Sequence, residues 1–311
     1  MFIIKYKWMF LTISAVCVLI SIFFILIKGV KKGIDFTGGT IIRVEYNSLI
    51  SKQDGLSDID LIKNSLEKDN FLVKEVSLLK TATSGLKIIE IKLNGILLES
   101  ERLNFEKSWS FNHDQNYKAK QISENTVGPN IGKEFTQKAV WSVLLVIIFI
   151  VIFVSFSFRE VSRPVASWKY GFITIIALIH DAIIPTGVYA FLGEKYGYEI
   201  DSLFVVAILT IMGISISDTI VVFDRIRENL KKRLSSETFA EVVGKSLSQT
   251  LGRSLNTSLA VIIVLLSLYY FGPVATNGMT LVLVIGMIVG TYSSIFIASP
   301  LLVLVEKWQK K

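Results

Sequence analysis

Six long apolar runs restrict what this chain can fold into more than any other feature of the sequence. A helix needs ~20 mostly apolar residues to cross ~30 Å of hydrocarbon. The runs that meet this length are residues 8–27, 139–158, 170–193, 202–223, 254–272 and 274–305. Only 19% of all residues are charged, against about 25% in soluble domains. The sequence therefore predicts an α-helical polytopic membrane protein with six transmembrane helices, here called spans 1 to 6.

Span 1 begins like a signal peptide, with Lys5 and Lys7 before its apolar stretch. That stretch is longer than a signal core of ~7–15 residues, and no small-x-small cleavage site follows it. We therefore expect an uncleaved first helix. The single cysteine, Cys17, lies inside this span and indicates neither a disulfide nor a cysteine metal site.

Basic residues are distributed unevenly between the two ends of the spans. They crowd the side that holds both termini, in the segments before span 1, between spans 2 and 3, between spans 4 and 5, and after span 6. The opposite short loops hold only Lys195. Because cytoplasmic loops carry the excess of Lys and Arg, we expect both termini in the cytoplasm. The net charge of +7 then reflects topology and contact with anionic membrane lipid, not nucleic-acid binding.

The segment between spans 1 and 2 is long enough to form a small domain. Its patterns predict strands at 41–46, 71–80, 86–93 and 117–127, and helices at 58–68 and 97–111. Ser57 or Asp58 is the expected N-cap of the first helix, and Ser84-Gly85 the turn between the second and third strands. The order βαββαβ is the ferredoxin-like arrangement.

These expectations divide the chain into three parts. Residues 1–28 hold the cytoplasmic N-terminus and span 1, residues 29–138 an extracytoplasmic (periplasmic) α+β domain, and residues 139–311 spans 2–6 with a cytoplasmic C-terminus. Within the last part, residues 224–253 have the composition of a basic amphipathic helix or helix pair at the cytoplasmic surface.

Motifs for soluble enzyme chemistry are missing from the sequence. Gly244-Lys245-Ser246 resembles the end of a P-loop, but Phe239 stands where the first glycine is needed. There is no H-E-x-x-H, and the chain has 2 histidines in all, which argues against a zinc enzyme. We expect no enzyme activity, no metal, no nucleotide and no other cofactor.

Asp218 is the strongest candidate for a functional residue because it lies inside span 4. An ionisable side chain at the bilayer centre costs ~2.5–3.5 kcal/mol on insertion scales. At ~1.5 Å per residue from Ser202, Asp218 lies in the cytoplasmic third, the depth at which Arg253 begins span 5. Arg keeps its proton, whereas a desolvated Asp can become neutral. The pair is either a two-state element driven by a proton gradient or a static ion pair that fixes helix packing.

Asp181 and His180 form a second polar pair, near the middle of span 3. Successive helical residues point ~100° apart, so at most one of the two faces a given partner. Asp181 is either a second member of a proton relay or a residue satisfied by Ser or Thr on adjacent helices, such as Ser215. For His180 we favour the structural alternative.

Small residues mark the expected faces of contact between helices. Gly286-x-x-x-Gly290 in span 6 is a helix-contact motif. Gly213 and Ser217 make span 4 narrow around Asp218. Ordinary helix packing is enough to explain each of these small residues taken singly. Helix faces made of small residues would also allow helices to slide past one another.

Four segments, in the expected order over nearly the whole chain, resemble the SecD/SecF family of protein-export membrane proteins. GIDFTGG at residues 33–39 looks like the family signature, and VGPNIG at 127–132 resembles its element entering span 2. RSLNTS at 253–258, which includes Asn256 and Thr257, looks like the start of span 5. DTIVVFDRIREN at 218–229 closely resembles SecF members in particular.

This resemblance implies a subunit in the inner membrane beside the SecYEG channel, partnered by SecD and often YajC. The family is of the resistance–nodulation–division (RND) type and uses proton flow to help draw the translocating preprotein outward. The positions matching its proton-relay residues are Asp218 and Arg253. Ser217 and Ser254 depart from the usual Asn and Thr but keep hydrogen-bonding ability. Fused members have about twelve helices, so a separate SecD has to supply the rest.

Glycines stand at both joints of the outer domain and are expected to act as hinges or tight turns. The residues concerned are Gly33, Gly38 and Gly39 on one side, and Gly128 with Pro129 on the other. Asp35 between them is expected to cap a turn.

Three rival functions remain open from the sequence. The first is a proton-driven half-transporter that exports small molecules, and the second is a scaffold of the Sec complex that moves no protons. The third, an intramembrane enzyme using His180 and Asp181, lacks a nucleophile constellation.

Overall fold

The computed structural model of the protein describes residues 2–46, 58–79, 87–110, 119–159 and 165–309. Six of its helices are long and apolar enough to cross a membrane, which confirms the predicted number of spans. The helices are α1 (Phe2–Lys5), α2 (Lys7–Lys28), α3 (Ile34–Thr37), α4 (Asp58–Lys68), α5 (Arg102–Ser110), α6 (Pro129–Ser157), α7 (Ser167–Tyr196), α8 (Ser202–Lys231), α9 (Phe239–Phe271), α10 (Asn277–Ser293) and α11 (Ser299–Gln309). A π-helical turn, Ser294–Ala298, joins α10 to α11, so that the two form the sixth span.

Helix α10 lies at the centre of the membrane bundle. It packs on α7, α8 and α9, and 67% of the apolar stretch of α10–α11 is buried within the chain, against 11% for α2 and 11% for α9. Because α2, α6 and α9 keep large apolar side chains on the outside, their outer faces suit lipid or a second membrane protein.

Helices α6, α8 and α9 extend by more than a turn beyond the apolar runs from which their spans were predicted. Helix α6 begins at Pro129, directly after the last strand, with Gly128 as its N-cap. The prediction of a start at 139 was too late because the first turns of α6 are polar. They are helical nonetheless, with an ion pair of 2.7 Å one turn apart between Glu134 and Lys138.

The basic segment 224–253 consists of the ends of α8 and α9. A capping box starts α9, in which Thr238 and Glu241 each bond the backbone N–H of the other. These helix ends continue the candidate spans Ser202–Lys231 and Phe239–Phe271, and the predicted location at the cytoplasmic surface stays a prediction.

Four strands, β1 (Gly39–Tyr46), β2 (Val73–Leu79), β3 (Lys87–Leu93) and β4 (Ala119–Val127), form one antiparallel sheet. Their order in the sheet is β2-β3-β1-β4. One face of the sheet carries a small apolar core in which strand residues pack against α4 and α5. Its fully or nearly fully buried members include Ile42, Val44, Ile62, Leu66, Ile91, Phe105 and Trp109.

The predicted elements of this domain all occur; α4 has the predicted bounds, and the other elements have shifted ends. The helix predicted at 97–111 begins only at Arg102, since Leu97 is buried against the sheet core outside any helix. The strand predicted at 71–80 begins at Val73, because Asn70 takes the left-handed conformation with φ 63° and ends the preceding helix. The predicted N-cap Ser57 and the turn Ser84-Gly85 lie outside the described residues.

Candidate functional site

Helix α8 places Asp218 at the edge between a buried and an exposed face. Asp201 caps this helix, its carboxylate accepting a hydrogen bond of 2.8 Å from the N–H of Phe204. Ser215 and Thr219 face the bundle core and are buried, whereas Gly213 and Ser217 are exposed. Asp218 lies between these faces and is half-buried. Helical spacing thus makes one side of α8 a packing surface and leaves the Asp218 side uncovered.

Arg253 and Ser258, both on α9, are the groups that act on the Asp218 carboxylate, one through its charge and the other through its hydroxyl. Asp218 and Arg253 both belong to the described part of the chain. Their charged atoms are farther apart than 4.0 Å, the upper limit for an ion pair. The prediction that they lie at similar depth agrees with this placement. Arg253, Asn256 and Thr257 are exposed, so they continue the uncovered polar surface from α8 onto α9.

A polar groove of about 280 Å³ between α8 and α9 reaches Arg253. Its walls include Asp224, Arg225 and Glu228 at the end of α8, and Gln249 on α9. The groove is therefore lined mainly by charged and polar side chains at the ends of the two helices.

Asp181 is fully enclosed, with 0% exposure. Its carboxylate accepts hydrogen bonds from Ser215 on α8 (2.5 Å) and Ser293 on α10 (2.7 Å), and pairs with Nδ1 of His180 at 2.9 Å. The sequence named Ser215 as a possible partner. It did not anticipate that the neighbouring His180 bonds Asp181 itself. Three helices therefore meet at this one carboxylate.

A ladder of hydroxyl groups along α10 was missed in the sequence. Ser294 contacts Thr219 across 3.0 Å and donates to the backbone oxygen of Ser215 at 3.3 Å. Thr291 donates to Ser258 at 2.6 Å, which links α10 to α9. The signal was present as Thr and Ser residues at 291, 293, 294 and 299 in span 6. These residues lie in or close to the π-helical turn Ser294–Ala298. π-Helical turns are common at functional sites.

The small residues singled out in the sequence fall into two groups. Gly286 lies against Ile211 and Gly290 against Ser215, and a side chain at Gly286 would collide with Ile211. Gly213, by contrast, has open space where a side chain would project. The predicted contact motif therefore joins α10 to α8, whereas Gly213 belongs to the uncovered face. Gly187 against Ser21 is a further close contact, between α7 and α2, that the sequence did not indicate.

The joint after span 1 is a compact turn fixed to the membrane domain. Asp35 accepts hydrogen bonds from the N–H (2.8 Å) and hydroxyl (2.5 Å) of Ser202, so it caps the start of α8. Gly38 and Gly39 have φ of 76° and 134°, and a side chain at Gly39 would meet the carbonyl of Leu93. These glycines are required by tight turns. Gly33 donates to the carbonyl of Ile200 at 2.8 Å.

A cluster of charges fastens the outer sheet to the loop between α7 and α8. Lys92, 3% exposed, lies 3.2 Å from Glu199 on that loop and within 3.5 Å of Glu75 and Glu90 on the sheet. Lys74 lies 3.4 Å from the other oxygen of Glu199. Burial disfavours the charge of Lys92, but the nearby carboxylates, Glu199 above all, outweigh burial and raise the pKa of Lys92.

Among the described residues, no group of three or more His, Cys, Asp and Glu side chains has the arrangement of a metal site. Cys17 is free and exposed on α2.

Comparison with known proteins gives consistent matches along the chain. A family model described as "Protein export membrane protein SecD/SecF, C-terminal" matches residues 107–308, and one described as "SecD/SecF GG Motif" matches residues 23–48. The protein translocase subunit SecF of Thermobaculum terrenum is 37% identical, over 99% of this chain and 94% of its own length. The SecF of Haemophilus influenzae is 35% identical, over 92% of this chain and 80% of its own length.

A crystal structure of SecDF from Thermus thermophilus, described as a translocon-associated membrane protein, has a similar fold. It superposes with a TM-score of 0.79 at 30% identity, covering 99% of this chain and 38% of that chain. The present chain is thus similar to one part of a longer fused protein. Its sequence motifs, its six apolar helices and these matches lead to one assignment: the chain belongs to the SecD/SecF family of protein-export membrane proteins.

Proposed function

We propose that this chain is the SecF subunit of the accessory complex of the Sec translocase. Together with SecD it uses the proton gradient to assist late-stage translocation and release of secreted polypeptides. The observation that carries this proposal is the half-buried Asp218, next to the charge of Arg253, on a helix face that the chain itself leaves uncovered. The names of its relatives support the assignment.

Asp218 is the proposed proton carrier, with Arg253 as its fixed countercharge. Arg cannot lose its proton, so only the carboxyl alternates between charged and neutral forms. Since Arg253 is near but not in direct contact, a small helix movement is enough to make or break the pair. Asp181 remains a candidate for a second residue in the proton relay, although its enclosed position favours a structural role.

SecD is the proposed cover of the face formed by Gly213 and Ser217 on α8, and Asn256 and Thr257 on α9. These residues are exposed, and small or polar side chains suit close contact between helices inside a membrane. A fused SecDF protein of Thermus thermophilus, 35% identical to 89% of this chain, is longer than the matched region. Its extra part fits the idea that a second polypeptide completes the present chain.

The outer domain is the proposed mechanical output. Its order βαββαβ and its sheet order β2-β3-β1-β4 support a ferredoxin-like fold for residues 29–138. We place this domain on the periplasmic side, with residues 1–28 and 139–311 forming the six spans, the 224–253 segment and both termini on the cytoplasmic side of the inner membrane. The joints at Gly33–Gly39 and at Gly128-Pro129 connect it directly to α2 and α6.

Further partners follow from the family resemblance. We propose contact with the SecYEG channel, YajC, the translocating preprotein and membrane lipid, and no binding of nucleic acid or nucleotide. The proton gradient is the proposed energy source, without a cofactor, a metal or a catalytic residue.

The test is export of a precursor into inverted membrane vesicles, with and without a proton gradient. Asp218→Asn is expected to abolish the gradient-dependent part of export and to leave the remainder intact, because Asn cannot carry a proton. Asp224→Asn is the matched control. It removes a carboxylate from the same helix, where Asp224 pairs with Arg227 at 2.8 Å, and is expected to retain gradient dependence. Unchanged export in Asp218→Asn vesicles, with the complex assembled, contradicts the proposal and favours a scaffold.

A further inference from the structure

A groove on the outside of the bundle lies beside the N-terminal helix α1. It encloses about 480 Å³, within the ~300–1,000 Å³ typical of ligand sites. Its walls come from α1, α2, α9 and the π-helical turn after α10, and its main side chains are Phe2, Phe10, Leu247, Leu251 and Phe296. The groove is therefore a preformed apolar channel at the surface of a membrane protein.

The walls of this groove are held by specific contacts. The ring of Phe10 lies 6.2 Å from that of Phe2 and 4.5 Å from that of Phe296. The hydroxyl of Tyr292 donates to the carbonyl of Phe10 at 2.9 Å. The hydroxyl of Ser248, a polar lining group, donates to the carbonyl of Lys245 at 2.9 Å. The lining thus offers hydrocarbon contact.

Several basic residues stand next to, or one helical turn from, groove-lining residues in the sequence. Lys5 follows the lining residue Ile4, Lys245 follows Gly244, and Lys7 stands one turn before Phe10. Lys7 also lies close enough to Lys307 at the other end of the chain for their charges to repel. Basic residues bordering an apolar groove favour an anion with a hydrocarbon tail.

The residues next to these lysines indicate the depth of the groove. Trp8 and Trp308, which follow Lys7 and Lys307, are 64% and 75% exposed. Exposed Trp beside Lys is typical of the headgroup level of a membrane. Two acids are also near these lysines: Glu237 lies 3.9 Å from Lys245, and Glu306 is buried beside Lys307. Lys5 and Lys7 have no acidic neighbour in the adjoining sequence.

We propose that this groove binds one acyl chain of an anionic phospholipid whose phosphate lies between Lys7 and Lys307. The site needs only the membrane location of the chain and does not depend on proton-driven export. Its occupant would fix α1 against α9 and the π-helical turn.

The test is native mass spectrometry of the detergent-purified full chain in an equal mixture of phosphatidylglycerol and phosphatidylethanolamine with matched acyl chains. The wild-type chain is expected to retain one phosphatidylglycerol in preference. Each lysine near a membrane surface contributes ~1 kcal/mol toward an anionic lipid, so Lys7→Gln with Lys307→Gln is expected to weaken this binding roughly 30-fold. The matched control, Lys231→Gln with Lys232→Gln, removes the same charge from the exposed end of α8 and is expected to change it little.

A second variant tests the groove rather than its charge. Ser248→Phe fills the groove from its exposed wall and is expected to remove the retained lipid while both lysines remain. The proposal is overturned by a wild-type chain that shows no preference between the two lipids. An equal loss of phosphatidylglycerol binding in the two double-lysine variants also overturns it, because the lipid is then attracted by surface charge in general. Full retention of the lipid by Ser248→Phe overturns it too, because the lipid then does not occupy the groove.

Discussion

Two carboxyl groups within the helix bundle, those of Asp181 and Asp218, have opposite surroundings. Asp181 is enclosed and accepts hydrogen bonds from two serines on other helices while pairing with His180. Asp218 is half-buried, with influences from α9 alone, beside an exposed stripe of small and polar residues. The chain itself supplies the hydrogen-bond partners of Asp181, whereas it leaves the surface beside Asp218 uncovered. This difference in surroundings is why we propose Asp218, and not Asp181, as the proton carrier.

The largest expected difference between the two sites is in folding stability. Asp181→Leu leaves Ser215 and His180 buried without the carboxylate that they bond, while Ser293 keeps the carbonyl of Gly290, and we expect it to cost about 3 kcal/mol. Asp218→Leu removes a half-buried group on which only the charge of Arg253 and the hydroxyl of Ser258 act among the described residues, and we expect a change below about 1 kcal/mol. Thermal unfolding of both variants in the same detergent measures this. Equal losses of stability would contradict the distinction between a closed and an open site.

Two glycines extend the comparison to packing. Gly286→Leu forces a side chain into Ile211 and is expected to destabilise the isolated chain by about 2 kcal/mol, since overpacking a close contact strains it. Gly213→Leu projects into open space and is expected to leave the isolated chain stable while weakening co-purification with SecD. If Gly213→Leu instead unfolds the chain, or leaves SecD binding at the wild-type level, the proposed interface is wrong.

A third carboxylate, Glu199, shows how the chain treats a buried acid outside the membrane. Two lysines pair with it, and Glu199→Gln is expected to cost about 1 kcal/mol, because Lys92 keeps Glu75 and Glu90. Since the pKa of Lys92 is raised, its stabilising contribution is complete below the ordinary Lys value of ~10.4. That contribution is lost as pH rises through the higher folded value.

Unfolding curves at pH 8 and pH 11 measure this contribution. We expect a larger loss of stability at pH 11 in the wild-type chain than in Glu199→Gln. An identical pH response in the two proteins would show that Glu199 does not hold the charge of Lys92.

Much of the fold was predictable because its signals are local. Apolar length gave six spans, and alternation gave the strands and helices of the outer domain, including α4 with both ends correct. The ends of α6, α8 and α9 were less predictable, since polar helical turns outside the bilayer leave no apolar signature.

The candidate site was predictable only in part. The positions of Asp218 and Arg253 followed from their place along the spans. The side of α8 that faces the core could not be predicted, because it depends on how α8 packs against α7 and α10. The bond between Ser293 and Asp181 and the contacts of Glu199 with Lys74 and Lys92 likewise join residues whose proximity no spacing in the sequence encodes.

The most direct measurement is infrared difference spectroscopy of the complex with SecD in bilayers, recorded between alkaline and acidic pH. The account predicts a protonated-carboxyl band in the wild-type complex that persists in Asp224→Asn and is missing from Asp218→Asn. A band of unchanged size in Asp218→Asn would mean that another group takes up the proton, and would contradict the proposal that Asp218 carries it.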